Sequence, residues 1–82
     1  MNFIEAVEML NKNKKVGYVN SKGKTYVLRY YVKEDHESSL CVQDIEEINK
    51  RYWNNFEFGI SYLNAEDVLS KNWKIIKKGE LK

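Results

Sequence analysis

An α+β domain built on an antiparallel sheet is the fold class this sequence predicts, and three observations predict it. Apolar residues recur at helical spacing in three separate stretches, so several short helices are expected rather than one long one. The turn Asn20-Ser21-Lys22-Gly23 separates two runs suited to strands, which makes a hairpin. Its connection is far too short for a parallel crossover, so the sheet is read as antiparallel. The expected order is α-β-β-α-β-α-β in a single domain, residues 1–82, with no repeat, no low-complexity tract and no Pro.

Asn2 stands three residues before Glu5, the spacing of a capping box, and Phe3, Ala6, Val7 and Leu10 follow at helical intervals. A helix over about residues 3–12 follows from this. The polar stretch Asn11-Lys12-Asn13-Lys14 ends it, and Val16-Gly17-Tyr18-Val19 begins a strand. Gly23 supplies the left-handed residue of the hairpin, after which Thr25 to Val32 forms a long β-branched and aromatic strand. On that strand Tyr26, Leu28, Tyr30 and Val32 share one face, expected to pack on the N-terminal helix. Val27, Arg29 and Tyr31 share the other, which suits a binding surface or a subunit contact.

Lys33 to Ser39 reads as an exposed charged loop. Asp44 and Glu47 repeat the capping-box spacing, and Ile45, Ile48 and Tyr52 fall on one face of a helix over about residues 44–54. Phe56 to Tyr62 alternates as a half-buried strand with Gly59 at a bulge. Asn64 caps a helix from Ala65 to Lys71, with Asp67 in its first turn, and Trp73, Ile75 and Ile76 make a last short strand. Residues 77–82 are expected to fray.

A chain of 82 residues is small enough that a partner surface would add substantially to what it can bury, so oligomer formation is anticipated. No stretch of 18 apolar residues and no secretory leader is visible, which sets a cytoplasmic location as the expectation. A single cysteine, Cys41, rules out an internal disulfide and a multi-cysteine zinc site. The net charge of +2 is too small for a general attraction to nucleic acid, so any anion site must be local.

Catalytic chemistry is thin. His36 lies in Glu34-Asp35-His36-Glu37, whose adjacent side chains cannot all point at one ion, so it reads as a loop histidine rather than a metal ligand. Cys41 precedes an apolar Val42 with no histidine near in sequence, and reads as a small core residue rather than a nucleophile. The pairs Glu46/Glu47 and Glu66/Asp67 sit in helical first turns, where capping and the helix dipole explain them. The four glycines, at 17, 23, 59 and 79, form no phosphate loop. No catalytic residue, metal or cofactor is expected.

Binding chemistry is better supplied. Eleven aromatic residues, six of them Tyr, are interleaved with Arg29, Arg51 and twelve lysines. Flat rings beside guanidinium groups suit a nucleotide, whose base stacks while its phosphates accept charged hydrogen bonds. Trp53 and Arg51, at the close of a helix before Asn54-Asn55, are the most ligand-like of these. Trp73 reads as a core anchor. Lys14-Lys15 and Lys22-Gly23-Lys24 could edge a phosphate site, but lysines at hairpin ends also serve solubility.

Two segments carry a resemblance to a known family. Phe3-Ile4-Glu5-Ala6-Val7 with Leu10, then Asn13-Lys14-Lys15-Val16, resembles the opening helix and glycine-lysine-lysine-valine step of the second family of Thoeris anti-defence proteins, small phage sponges. Asn64 to Ser70, then Trp73-Lys74-Ile75-Ile76, resembles that family's closing helix and aspartate-tryptophan strand. Asn13 replaces the family's glycine, Asn72 its aspartate, and Tyr18 and Ser21 stand where it shows an arginine and a tryptophan.

The resemblance implies a homo-oligomeric phage protein that holds a cyclic ADP-ribose-type or other cyclic nucleotide immune signal in pockets at subunit junctions without cleaving it. On that reading Tyr18 and Trp53 are stacking candidates, with Arg29 and Arg51 on phosphates. Some phage inhibitors of CRISPR nucleases resemble the same family. The competing expectation is therefore an inhibitor that binds a host defence protein through the Val27/Arg29/Tyr31 face and the acidic loop around His36. Membrane and nucleic-acid partners are not expected.

Overall fold

The computed structural model describes residues 1–32, 38–51, 60–77 and 79–80. Helix α1 runs Phe3–Asn11, strands β1 Val16–Val19, β2 Thr25–Val32 and β3 Ser38–Asp44 follow, then helix α2 Ile45–Arg51, strand β4 Ile60–Tyr62, helix α3 Ala65–Leu69 and strand β5 Lys74–Ile75. The five strands form one sheet in the order β4-β3-β2-β1-β5, and every neighbouring pair is antiparallel. The class is α+β, as the patterning requires.

Local chemistry sets each boundary. The Asn2 side chain accepts from the Glu5 N–H at 2.8 Å while the Glu5 carboxylate accepts from the Asn2 N–H at 3.0 Å, so the predicted capping box opens α1. Asn13, with φ of 64°, ends the helix in the left-handed region, and the Lys14 N–H reaches back to the Met9 carbonyl. In the hairpin the Asn20 side-chain oxygen accepts from the Lys22 and Lys24 N–H groups, both at 3.0 Å, and Gly23 takes the positive φ.

Alternation along the strands divides the sheet into two faces, and both are buried. On the first, Val16, Tyr18, Leu28 and Val42 pack with Ala6 of α1 and with Trp73. The rings of Phe3 and Tyr18 lie 5.9 Å and 4.5 Å from that of Trp73, both tilted. The Tyr30 hydroxyl donates to Asn11 at 2.7 Å, tying β2 to the end of α1. On the second face Val27, Arg29, Cys41 and Gln43 are buried, together with Ile48 of α2, which packs on β2 and β3, and with Ile76.

Four expectations change here. The loop predicted over 33–39 gives way at Ser38, where β3 begins and pairs along its length with β2. This strand was not anticipated. Leu40, Cys41, Val42 and Gln43 alternate between two buried faces, so no apolar/polar contrast marks them. The helix expected over 44–54 starts at Ile45 because Asp44 still belongs to β3, its carboxylate accepting from the Glu46 N–H at 2.9 Å, and residues 52–54 of that expectation lie outside the described residues.

The described part of the Phe56–Tyr62 strand is Ile60–Tyr62, and the Gly59 bulge lies outside the described residues. Glu80, placed in a frayed tail, is anchored: its carbonyl accepts from Asn49 of α2 at 3.0 Å and its carboxylate lies 3.5 Å from the Lys74 ammonium. The Val27/Arg29/Tyr31 face is not an open surface either. Val27 and Arg29 are buried under the second layer, and Tyr31 alone of the three is partly exposed.

Candidate functional site

The end of β1, the hairpin loop and the first turn of α3 converge on one polar cluster. Tyr18 points from β1 toward α3, and its hydroxyl donates to the Asp67 carboxylate through a buried hydrogen bond. The other carboxylate oxygen of Asp67 accepts from the Asn64 N–H at 2.9 Å, and the Asn64 side chain accepts from the Asp67 N–H at 3.1 Å, closing the second capping box. The Asp67 carbonyl accepts from the Trp73 indole N–H at 2.9 Å. Each carboxylate oxygen thus has a donor, Tyr18 on one and Asn64 on the other, which explains how a carboxylate tolerates a site only 2% exposed. Burial first, then the hydrogen bond and charge of Asp67, push the Tyr18 phenol well above the usual tyrosine range.

Glu66, one residue earlier, faces outward and clamps the hairpin. Its carboxylate accepts from the Ser21 N–H at 2.5 Å and from the Ser21 hydroxyl at 3.2 Å. Between loop and helix lies a cleft of about 480 Å³ whose polar lining comes from Tyr18, Asn20, Ser21, Glu66, Ser70 and Asn72. Val19 and Leu69, both substantially exposed, form its apolar rim. A smaller cleft of about 130 Å³ shares Tyr18, Asn20 and Glu66 and adds Lys22, Tyr26 and Asn64. The larger volume falls within the roughly 300–1,000 Å³ of small-molecule sites. A carboxylate, amides and hydroxyls in this arrangement accept hydrogen bonds from a polyol or ribose, and Lys22 adds a cation for a phosphate.

The four predicted ligand residues do not meet in one place. Tyr18 lies on the first face with its ring packed against Trp73, so it walls the cleft rather than offering a free ring to stack on. Arg29 lies on the second face, 5% exposed, and donates to the Gln43 side chain at 2.7 Å. Burial pulls its guanidinium below the usual arginine range, and the nearby Cys41 acts the opposite way. Arg51 closes α2, the helix that covers this second face. Trp53 and His36 lie outside the described residues. Cys41 is buried, and burial pushes its thiol up, the state of an inert core cysteine.

Among the described residues no group of three His, Cys, Asp or Glu side chains could hold a metal ion, and no helix is long and apolar enough to cross a membrane. Sequence reading had assigned Asn64, Glu66 and Asp67 to capping and Asn20 to Gly23 to a turn. Those roles are real, but the same groups also build the cleft. Polar residues at a hairpin tip and at a helix start announce local structure, and nothing in their spacing announces that the two will meet. The chain matches no family model, no curated protein and no solved structure.

Proposed function

We propose that this chain is a phage anti-defence protein that binds a cyclic ADP-ribose-type signal in the host cytoplasm and withholds it from its effector without cleaving it. The observation that carries this reading is where the cleft sits. The two segments that resemble the sponge family, residues 3–16 and 64–76, are about 50 residues apart in sequence and pack on each other through α1–α3, α1–β5 and β1–β5 contacts. The second of them supplies one wall of the cleft, with Glu66, Leu69 and Ser70, and the residues that directly follow the first, Tyr18 to Ser21, supply the other. The lining of the cleft suits ribose: Glu66, Asn20 and Asn72 would take the ribosyl hydroxyls, and Lys22, on the adjoining smaller cleft, a phosphate oxygen.

Tyr18 would act by holding the cleft wall against Asp67, not by stacking. The exposed rim residues Val19 and Leu69 would be covered by a second copy, which would close a cleft that one protomer leaves open and add buried surface to a small domain.

The test is uptake followed by recovery. Purified protein mixed with cyclic ADP-ribose isomers and cyclic dinucleotides, then desalted, should retain one class of them by native mass spectrometry and return it intact on heating. Glu66→Ala should weaken retention at least tenfold. Release of a cleaved product would make the protein an enzyme, and no retention across the panel would remove the sponge reading. Co-purification with a host defence enzyme at fixed stoichiometry, with no small molecule held, would favour the inhibitor reading instead.

A further inference from the structure

The edge of the sheet at β3 and β4 is stepped. Strand β2 pairs with all seven residues of β3, Ser38–Asp44, whereas β4 pairs only with Cys41, Val42 and Gln43. After Tyr62 the chain leaves the sheet to start α3, so among the described residues Ser38, Ser39 and Leu40 have a strand on one side only. A strand without a neighbour presents unpaired N–H and C=O groups, a template for a further strand. A cleft of about 410 Å³ occupies the step. It wraps the edge rather than sitting on one face: Ser39 and Cys41 come from the side that α2 covers, Leu40 and Ser61 from the side of α1, and Tyr62, 81% exposed, stands beside them.

We propose that the step is filled by β4 of a second copy of this chain, giving a two-fold dimer with one continuous sheet. The uncovered part of β3 is three residues long, and so is β4, which lies on the same edge directly beyond it. That arrangement lets two copies fill each other at once. A two-fold axis perpendicular to the sheet and level with Leu40 lays the two β4 strands end to end in one line between the two β3 strands.

Side alternation fixes the register. Tyr62 pairs with Cys41 and shares its side, so the partner's Tyr62 must fall beside a β3 residue of that same side; Cys41 is taken and Leu40 faces the other way, which leaves Ser39. The two Tyr62 α-carbons are then two residues apart along the line, about 6.6 Å, and each ring enters the other protomer's cleft over the short Ser39 side chain. The edge also lacks the charges that commonly keep edge strands apart: none of Ser39, Leu40, Cys41, Ile60, Ser61 and Tyr62 is charged, in a chain that is 32% charged, so identical copies meet here without repulsion. A contact this short belongs with small interfaces of under about 1,200 Å², so the dimer forms and dissociates with concentration. It is separate from the Val19/Leu69 rim and does not depend on any ligand at Glu66.

The test is a mixed cross-link. Ser39→Cys protein and Tyr62→Cys protein, combined at millimolar concentration and oxidised, should give a disulfide-linked heterodimer, because laterally paired α-carbons lie about 5 Å apart, within disulfide reach. Ser39→Cys alone should give none, since a β4 line separates the two Ser39 sites, and the native Cys41 is buried. Sedimentation of the wild type should show a dimer that grows with concentration, which Tyr62→Lys weakens at least tenfold by setting two ammonium groups across the axis. Since Tyr62 is mostly in solvent, an unchanged thermal melt will show that this variant still folds. Leu69→Lys should leave the cross-link intact whatever it does to uptake of a cyclic signal. A monomer up to millimolar concentration, no heterodimer on oxidation, indifference to Tyr62→Lys, or a cross-link lost with Leu69→Lys would each overturn the assignment. So would an extended apolar peptide of another protein that takes the step while this chain alone stays monomeric.

Discussion

Gly17 shows how much a missing side chain can decide. A methyl group placed there would come within 2.6 Å of the Tyr26 carbonyl oxygen and 2.9 Å of the Ile76 side chain, so β1 can lie this close to β2 and β5 only as glycine. Backbone cannot move aside without breaking the β1–β2 ladder, and Gly17→Ala should destabilise the fold by about 1–3 kcal/mol in urea unfolding. Tyr18 next door gives a prediction in pH. Its folded-state pKa is raised, so between the ordinary tyrosine value of about 10 and the higher folded value the unfolded chain has lost a proton that the native one keeps. The stabilisation is therefore complete below about pH 10 and is lost as pH rises beyond it. Tyr18→Phe should flatten that alkaline decline. At neutral pH it should cost about 1–3 kcal/mol, because a buried Asp67 oxygen loses its donor.

At the scale of elements, α3 has only five residues and cannot be stable by itself, so it depends on its cap and on what it grips. Asn64→Ala should cost about 1 kcal/mol, read from the urea midpoint. Glu66→Ala should leave global stability within about 1 kcal/mol, because its bonds to Ser21 are exposed. It should nevertheless speed hydrogen exchange at the Ser21 amide, which has then lost its acceptor.

The capping box of α1, the Asn64 cap of α3, the hairpin turn and the long β2 were all legible, because each rests on residues within a few positions of one another, whereas the box read at Asp44 and Glu47 does not form because Asp44 ends β3 and accepts from Glu46 instead. Strand β3 was not. It is paired on both sides and buried on both faces, and its composition therefore lacks the alternation by which half-buried strands are recognised.

For the whole molecule, the sheet acts as a partition. Tyr18 and Arg29 are both close to buried, yet the first faces α1 and α3 and the second faces the side that α2 covers, so one ligand on one protomer cannot use both. If the Glu66 cleft holds the signal, a saturating ligand at 100 times its Kd should add about 2.7 kcal/mol to the stability of the native state. A rise in Tm for the wild type and none for Glu66→Ala would be the calorimetric signature. The exposed Val19 and Leu69 rim predicts an association that Leu69→Lys weakens, visible as a shift toward monomer in sedimentation.

The sequence by itself determined the fold class, the capping box of α1, the Asn64 cap of α3, the turn at Gly23, the burial of Cys41 and the anchoring role of Trp73. These are settled by local chemistry or by the plain apolarity of a side chain. Only the tertiary structure decided which face each strand residue occupies relative to the others, that β3 is an interior strand between β2 and β4, and that the hairpin tip meets the start of α3 to form a cleft. The reason is physical: caps and turns are made by neighbours in the chain, whereas a cleft is made by segments some 45 residues apart, such as Ser21 and Glu66, whose meeting depends on sheet order and helix packing.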